Sequence, residues 1–331
     1  MRLTIWILIP ILVIGTGAWV LMLRMPGTNH SGAAAPLTQR EVVLRDSLRE
    51  DVQKLAGEIG ERNLVHYDAL TAAASFLEQD LIEAGYKVEQ NTFEVATPQG
   101  SRSTYNVFAE LKGNKRPEEI VIIGAHYDSR EGTPGADDNA SGTAAALSLA
   151  RTFASATLGR TLRFVFFTNE EYFREDLMGS LVYAKLCRAR HDNIVAMISL
   201  ETIGHFSDVA GSQKYPFPIN LYYPSTGDFL GFVGKVGSRS LVRTAIGSFR
   251  TVATVPSQGV AAPEFIDGIG WSDQWSFWRQ GYPGIMITDT APFRNPNYHE
   301  PTDTPDTLDY GRLARVVTGL EAVVGNLAAA K

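Results

Sequence analysis

Residues 120–142 read IVIIGAHYDSREGTPGADDNASG. The first six are an unbroken apolar run, the pattern of a strand buried on both faces. The run ends on His126, with Asp128 two residues on. A loop bearing Gly and Pro then delivers Asp137, Asp138 and Asn139, and an Ala-rich helical period begins near Ser141. Imidazole and carboxylate at the carboxyl end of a strand are what a metal site in an open α/β sheet requires, because the ligand crevice forms there. The remaining ligands must then come from other strands of the same sheet.

Three further apolar runs end in the same way. Residues 163–168 (RFVFFT) run into Asn169, Glu170 and Glu171. Residues 194–200 (IVAMISL) run into Glu201, and residues 284–288 (GIMIT) lead through Asp289 to His299. Helical periods at 141–156 and 179–189 separate the first three runs. This alternation predicts an α/β fold, a doubly wound, mostly parallel mixed sheet with helices on both faces. Upstream, residues 41–59 and 67–84 carry helical stripes, and Gly85 stops the second. Residues 87–95 and 105–111 alternate like an antiparallel edge pair around the turn-rich stretch 97–100. Residues 228–251 read as helical stretches interrupted by Gly231, Gly234 and Gly237, and residues 312–329 as a closing helix.

Taken singly, these motifs are weak. His126 alone reads as a buried structural histidine, the Asp-Asp-Asn loop as a turn or helix cap, Glu170-Glu171 as a solvated edge, and His299 as an exposed loop residue. Together they place imidazoles and carboxylates at the ends of adjacent strands. Such groups bind Zn²⁺ at about 2.0–2.2 Å. Two histidines and three carboxylates hold two ions when one carboxylate bridges them, the ions lying about 3.5–4 Å apart. The Glu170-Glu171 doublet suits a division of labour, one side chain turned to metal and the other to a water proton. Asp273, in the aromatic-rich stretch 271–282, reads as a support for the ligands or as part of the cleft wall.

Composition narrows the function classes. The chain has 331 residues, 44% hydrophobic and 20% charged, enough for a sizeable core. Its net charge is −6, and no basic block is present, so nucleic acid is not an expected partner. The single cysteine, Cys187, excludes an internal disulfide framework and cysteine-rich zinc sites. Residues 3–23 (LTIWILIPILVIGTGAWVLML) carry no charge and are long enough to cross a hydrocarbon core of about 30 Å. The sequence therefore predicts an N-terminal transmembrane helix: an uncleaved signal anchor over residues 1–24, with a cleaved signal peptide as the alternative. The body would then be extracytoplasmic. Residues 25–37 read as a flexible linker and residues 38–331 as one catalytic domain.

The motifs GAHYDS, PGADDNASG, TNEE, SLE, SDQWSFWRQGYPGIMITDT and YHEPTDTPDTLD resemble, as a set, the zinc exopeptidase family of the bacterial leucyl aminopeptidases. The resemblance runs from about Gly60 to the C-terminus. It implies a di-zinc hydrolase that removes N-terminal residues from peptides. By this resemblance His126 is a ligand of one zinc, Asp138 the bridging carboxylate, and Glu171 and His299 ligands of the other zinc. Glu170 matches the general base. Glu201 stands where the family has Asp or Glu and completes the first zinc's set, and Asp128 matches a residue that orients His126. Glutaminyl cyclase, which uses one zinc for an intramolecular amine attack, and carboxypeptidase action are rivals on the same fold. A cleft arginine among Arg174, Arg279 and Arg294 would favour the latter. A non-enzymatic, receptor-like ectodomain is the third rival; such relatives lack ligands, whereas every ligand position is filled here.

Overall fold

The computed structural model describes residues 22–97, 100–171, 176–217 and 219–330, together with Gly15 and Gly17. Its strands are β1 Val88–Thr97, β2 Gly100–Leu111, β3 Arg116–His126, β4 Arg160–Phe167, β5 Asn193–Glu201, β6 Leu230–Lys235, β7 Ser257–Ala262 and β8 Gly284–Thr288. They form one eight-stranded mixed sheet in the order β1-β2-β4-β3-β5-β8-β6-β7. The centre, β4-β3-β5-β8, is parallel. The β1-β2 pair is antiparallel and joins β4 antiparallel, as the alternating pattern predicts.

The helices are α1 Gln39–Val52, α2 Tyr67–Glu83, α3 Gly142–Phe153, α4 Gly179–Ala189, α5 Arg239–Phe249, α6 Gln274–Arg279 and α7 Tyr310–Ala328. Thr38 and Glu41 close a capping box at the start of α1, satisfying backbone N–H groups that the first turn would leave unpaired. α1 continues through a π-helical turn, Gln53–Ile59. The apolar run of β3 divides between two cores. Val121, Ile123 and Ala125 pack with residues of α1, α2, α3, α5 and α7. Ile120 and Ile122 pack with Tyr183, Ala184 and Cys187 of α4 and Phe277 of α6. Cys187 is a buried free thiol. Burying one such apolar side chain contributes about 1.5–3 kcal/mol, so a run apolar on both faces belongs in the middle of the sheet, covered from both sides.

Two readings of the sequence change. Residues 228–251 are not helical throughout: β6 comes first and α5 follows, and β7 has no counterpart among the sequence-predicted strands. Gly231 and Gly234 lie inside β6. Glycine has low strand propensity and no side chain to show a two-residue alternation, so the pattern was hidden. β6 runs antiparallel to β8 and parallel to β7, which makes that flank mixed.

The transmembrane anchor predicted at residues 3–23 does not hold. Among the described residues no helix is long and apolar enough to cross a membrane. A span needs about twenty apolar residues in one helix. Most of that stretch lies outside the described residues. Its last two residues, Met22 and Leu23, pack on the body beside Val260, Ala262, Ile269 and Trp278. The membrane-anchored localisation built on that segment falls with it. Residues 24–37 carry no helix or strand and run along the body. Arg250 donates to Pro26 O at 3.0 Å, and Asn29 Oδ1 accepts from Ser257 N at 2.7 Å.

Candidate metal centre

Strand register assembles the site. His126 is the last residue of β3 and pairs with Phe167, the last of β4, so Asn169, Glu170 and Glu171 emerge beside it. Gly124 pairs with Ser199 of β5; two residues further on stand His126 and Glu201. β5 in turn pairs Glu201 with Thr288 of β8, and the chain after β8 returns to His299. The loop from β3 to α3 brings Asp138 back to the strand ends. At its turn Gly135 has φ +60°, and a Cβ there would stand 2.3 Å from Asp138 O, so only glycine is tolerated.

The five expected ligands meet. Asp138 Oδ1 lies 3.2 Å from His126 Nε2, and Asp138 Oδ2 lies 3.1 Å from His299 Nε2. Glu201 Oε2 is 3.3 Å from His126 Nε2, and Glu171 Oε2 is 3.3 Å from His299 Nε2. One carboxylate is thus shared by two imidazole–carboxylate pairs. His126 Nε2, Asp138 Oδ1 and both oxygens of Glu171 are buried without a hydrogen-bond partner. They are close enough to bond but aim past one another. Ligand atoms 2.0–2.2 Å from a common tetrahedral centre stand about 3.3–3.6 Å apart, close to the spacing seen. The donor set therefore fits zinc.

The surroundings fix these side chains. His126 Nδ1 is 3.2 Å from Asp128 O; with its proton on Nδ1, Nε2 keeps a lone pair for metal. The Asp128 carboxylate is 3.5 Å from Nδ1 and also accepts the backbone N–H groups of Glu170 and Glu171 at 3.2 and 3.3 Å. Ser272 Oγ donates to Glu201 Oε2 at 2.7 Å, and Asn139 Nδ2 reaches it at 3.3 Å. Asn139, Ala140 and Ser141 form a glycosylation sequon, but Asn139 is fully buried and out of reach. Asn169, Thr202 and His299 have φ of 58°, 44° and 61°. This conformation is strained for a β-branched residue such as Thr202. Bonds to Asn139 Oδ1, Glu201 O and Asp289 N hold Thr202 there.

Electrostatically the centre is short of positive charge. Burial, then the neighbouring Asp138, pushes Glu171 up to about 8. Burial also raises Asp273 to about 7 and Asp303 to about 6, and lifts Glu170 well above the carboxylate range. Burial opposes ionisation of Asp138 as well, yet the imidazoles of His126 and His299 beside it hold it low. Burial works against an imidazolium at His299, but Asp138 and Glu171 outweigh it and raise it to about 9. A divalent cation would supply the missing charge and displace those protons. Asp273 is fully buried with both oxygens unpartnered, within the electrostatic reach of Glu170 and Glu201.

Several residues around the centre were not singled out by sequence reasoning. Asp303 accepts the backbone N–H groups of Asp137 and Asp138; its place in PTDTPD, four residues after His299, was its signal. Ser272 and Arg62 had no local signal. Asp137 is structural, bonded by Gly204 N and Asn295 Nδ2. Of the arginines that would mark a carboxypeptidase, Arg294 is buried against Phe206 and Phe229 and bonded to Gln213. Arg279 lies over Trp275, and Arg174 falls outside the described residues.

Several known proteins resemble this chain in sequence or fold. The Escherichia coli protein YfbL is 34% identical over 306 residues, covering 88% of this chain and 91% of that protein. A probable aminopeptidase of Saccharomyces cerevisiae is 26% identical over 68% of this chain, which spans only 58% of that relative's length. Among solved structures, a zinc aminopeptidase from Bacillus subtilis superposes with a TM-score of 0.70 at 14% identity, covering 87% of this chain and 95% of the other. A glutaminyl cyclase from Fimbriiglobus ruber gives 0.62 at 18% identity over 89% and 97%. Both show a shared fold. The sequence model of Peptidase family M28 matches residues 106–324, and this chain belongs to that family.

Proposed function

We propose that the chain is a two-zinc aminopeptidase, akin to the bacterial leucyl aminopeptidases within its family, that removes apolar N-terminal residues from peptides. The observation carrying this reading is the Asp138 carboxylate set between His126 and His299, among buried ligand atoms with no other partner. His126, Asp138 and Glu201 would hold one ion, and Asp138, Glu171 and His299 the other. Zinc so held would supply a Lewis acid for a scissile carbonyl and lower the pKa of a water toward about 7. Glu170 is the general base: it takes the water's proton and returns it to the leaving amine. The crowd of carboxylates suits a substrate that carries a free α-ammonium group. An apolar cavity of about 100 Å³, with Ile219, Phe229, Phe232 and Trp271 in its wall, also has Glu201 and Tyr298 as lining residues. It supports an apolar side chain on the first residue.

The test is a panel of peptides with free or acetylated α-amines, assayed with and without chelator. Cleavage confined to free amines and abolished by chelation is expected. Cleavage of the acetylated peptides, or cyclisation of an N-terminal Gln peptide without hydrolysis of the others, would reject the aminopeptidase.

A further inference from the structure

Arg62 follows the π-helical end of α1 and is 0% exposed. Its guanidinium donates from Nε to Tyr127 O at 2.7 Å, from Nη1 to Pro134 O at 2.5 Å and from Nη2 to Gly135 O at 2.9 Å. Longer bonds from Nη1 reach Gly60 O at 3.2 Å and Leu55 O at 3.4 Å. Its backbone is tied to the same loop: Arg62 N donates to Ser129 Oγ at 3.1 Å, and Arg62 O accepts from Ser129 N at 2.9 Å. All five side-chain acceptors are main-chain carbonyls. Burying a guanidinium without a carboxylate in contact is strongly unfavourable. The charges that act on it from further off are Asp128, Asp303, Asp138 and Glu171, all at the metal centre.

Three of those carbonyls, of Tyr127, Pro134 and Gly135, stand at the two ends of one loop. Tyr127 follows His126, and Pro134 and Gly135 lead into Asp138. Three donors of one rigid, planar group therefore set the distance between the loop's ends.

We propose that Arg62 is a positioning residue of the metal centre: it clamps the loop between His126 and Asp138, holding these two ligands in register from behind. The proposal rests on the two-zinc reading above. Lysine would keep the charge but present a single compact head, unable to span three carbonyls. Geometry, not charge alone, then decides the effect.

The test measures Zn²⁺ affinity of the full chain by competition with a chromophoric chelator. Arg62→Lys and Arg62→Met should each bind zinc on the order of 10- to 100-fold more weakly, the scale for groups that orient ligands without touching the metal. Arg163 is the control, because it is buried and paired with Glu110 and Asp192 in a separate cluster. Arg163→Met should lower Tm and leave zinc affinity unchanged, the pattern the Arg62 variants would also show if that residue were merely structural. Ser129→Ala removes a smaller part of the same clamp and should show a smaller loss. Zinc affinity of the parent retained in either Arg62 variant overturns the proposal. An equal loss in Arg163→Met also overturns it. If neither Arg62 variant folds, unchanged affinity in Ser129→Ala does so. A parent chain that binds no zinc would instead sink the metal reading.

Discussion

The Asp303 carboxylate accepts the backbone N–H of Asp138 at 3.1 Å through Oδ2, while Oδ1 takes that of Asp137 at 2.9 Å. A side chain from beyond β8 thus fixes the peptide that carries the carboxylate set between His126 and His299. Asp303→Asn turns one acceptor into a donor facing a backbone N–H. Zinc affinity should fall about 10- to 100-fold with the fold intact. Chelator competition reads this directly, and parent-like binding would dismiss the role.

Glu170 is buried beside the ligands, and its backbone N–H is anchored to Asp128. Glu170→Gln keeps size and removes the proton acceptor. The variant should retain its zinc by elemental analysis and lose on the order of 10²–10⁴ in kcat. Undiminished turnover would reject the base assignment.

His299 approaches both Asp138 and Glu171. Replacing it with Ala should lower the zinc content from two ions to one per chain and abolish activity. A zinc content that does not change would remove His299 from the ligand set.

The metal-free protein should lose stability as pH rises from 5 to 8. Glu171, with an ordinary value of 4.5, titrates near 8 in the folded chain, and Asp273 and Asp303, ordinarily at 3.8, near 7 and 6. Between those limits the folded state holds protons that the unfolded chain has released, so stability falls with rising pH. His299, raised from 6.5 to about 9, acts in the same direction, its contribution complete below 6.5 and lost as pH climbs through 9. Asp138 is held low, and its contribution is lost only in acid, outside this window. Tm of chelator-treated protein should therefore drop across the range, and added zinc should restore it most at pH 8, where fewer protons compete. A Tm that climbs with pH would contradict the sign.

Ile219 lies in the wall of the apolar cavity, on a short 3₁₀ turn. Ile219→Asp should reduce kcat/KM for leucyl peptides by at least about tenfold, the scale of one lost apolar contact region, with zinc content preserved. If leucyl and alanyl peptides are cleaved equally by the parent and respond alike to the change, the cavity does not receive the first side chain.

Much of this was legible in the amino-acid sequence. Each apolar run that ends in an imidazole or a carboxylate names both a strand and a candidate site residue, since both features are local. His126, Glu170, Glu171 and Glu201 were found this way, and the runs behind them predicted the parallel centre of the sheet. Glycine hid β6, because a residue without a side chain leaves no alternation to read.

Tertiary structure alone decided which oxygen of Asp138 faces which imidazole and that Asp303 and Arg62 hold the metal loop. It also decided that the end of the N-terminal apolar stretch lies against the body. These depend on contacts between distant residues: Arg62 and Tyr127 are 65 positions apart, and Asp137 and Asp303 are 166 apart. Local propensity carries no information about such pairs; they exist only once strand order and register have brought the distant segments together.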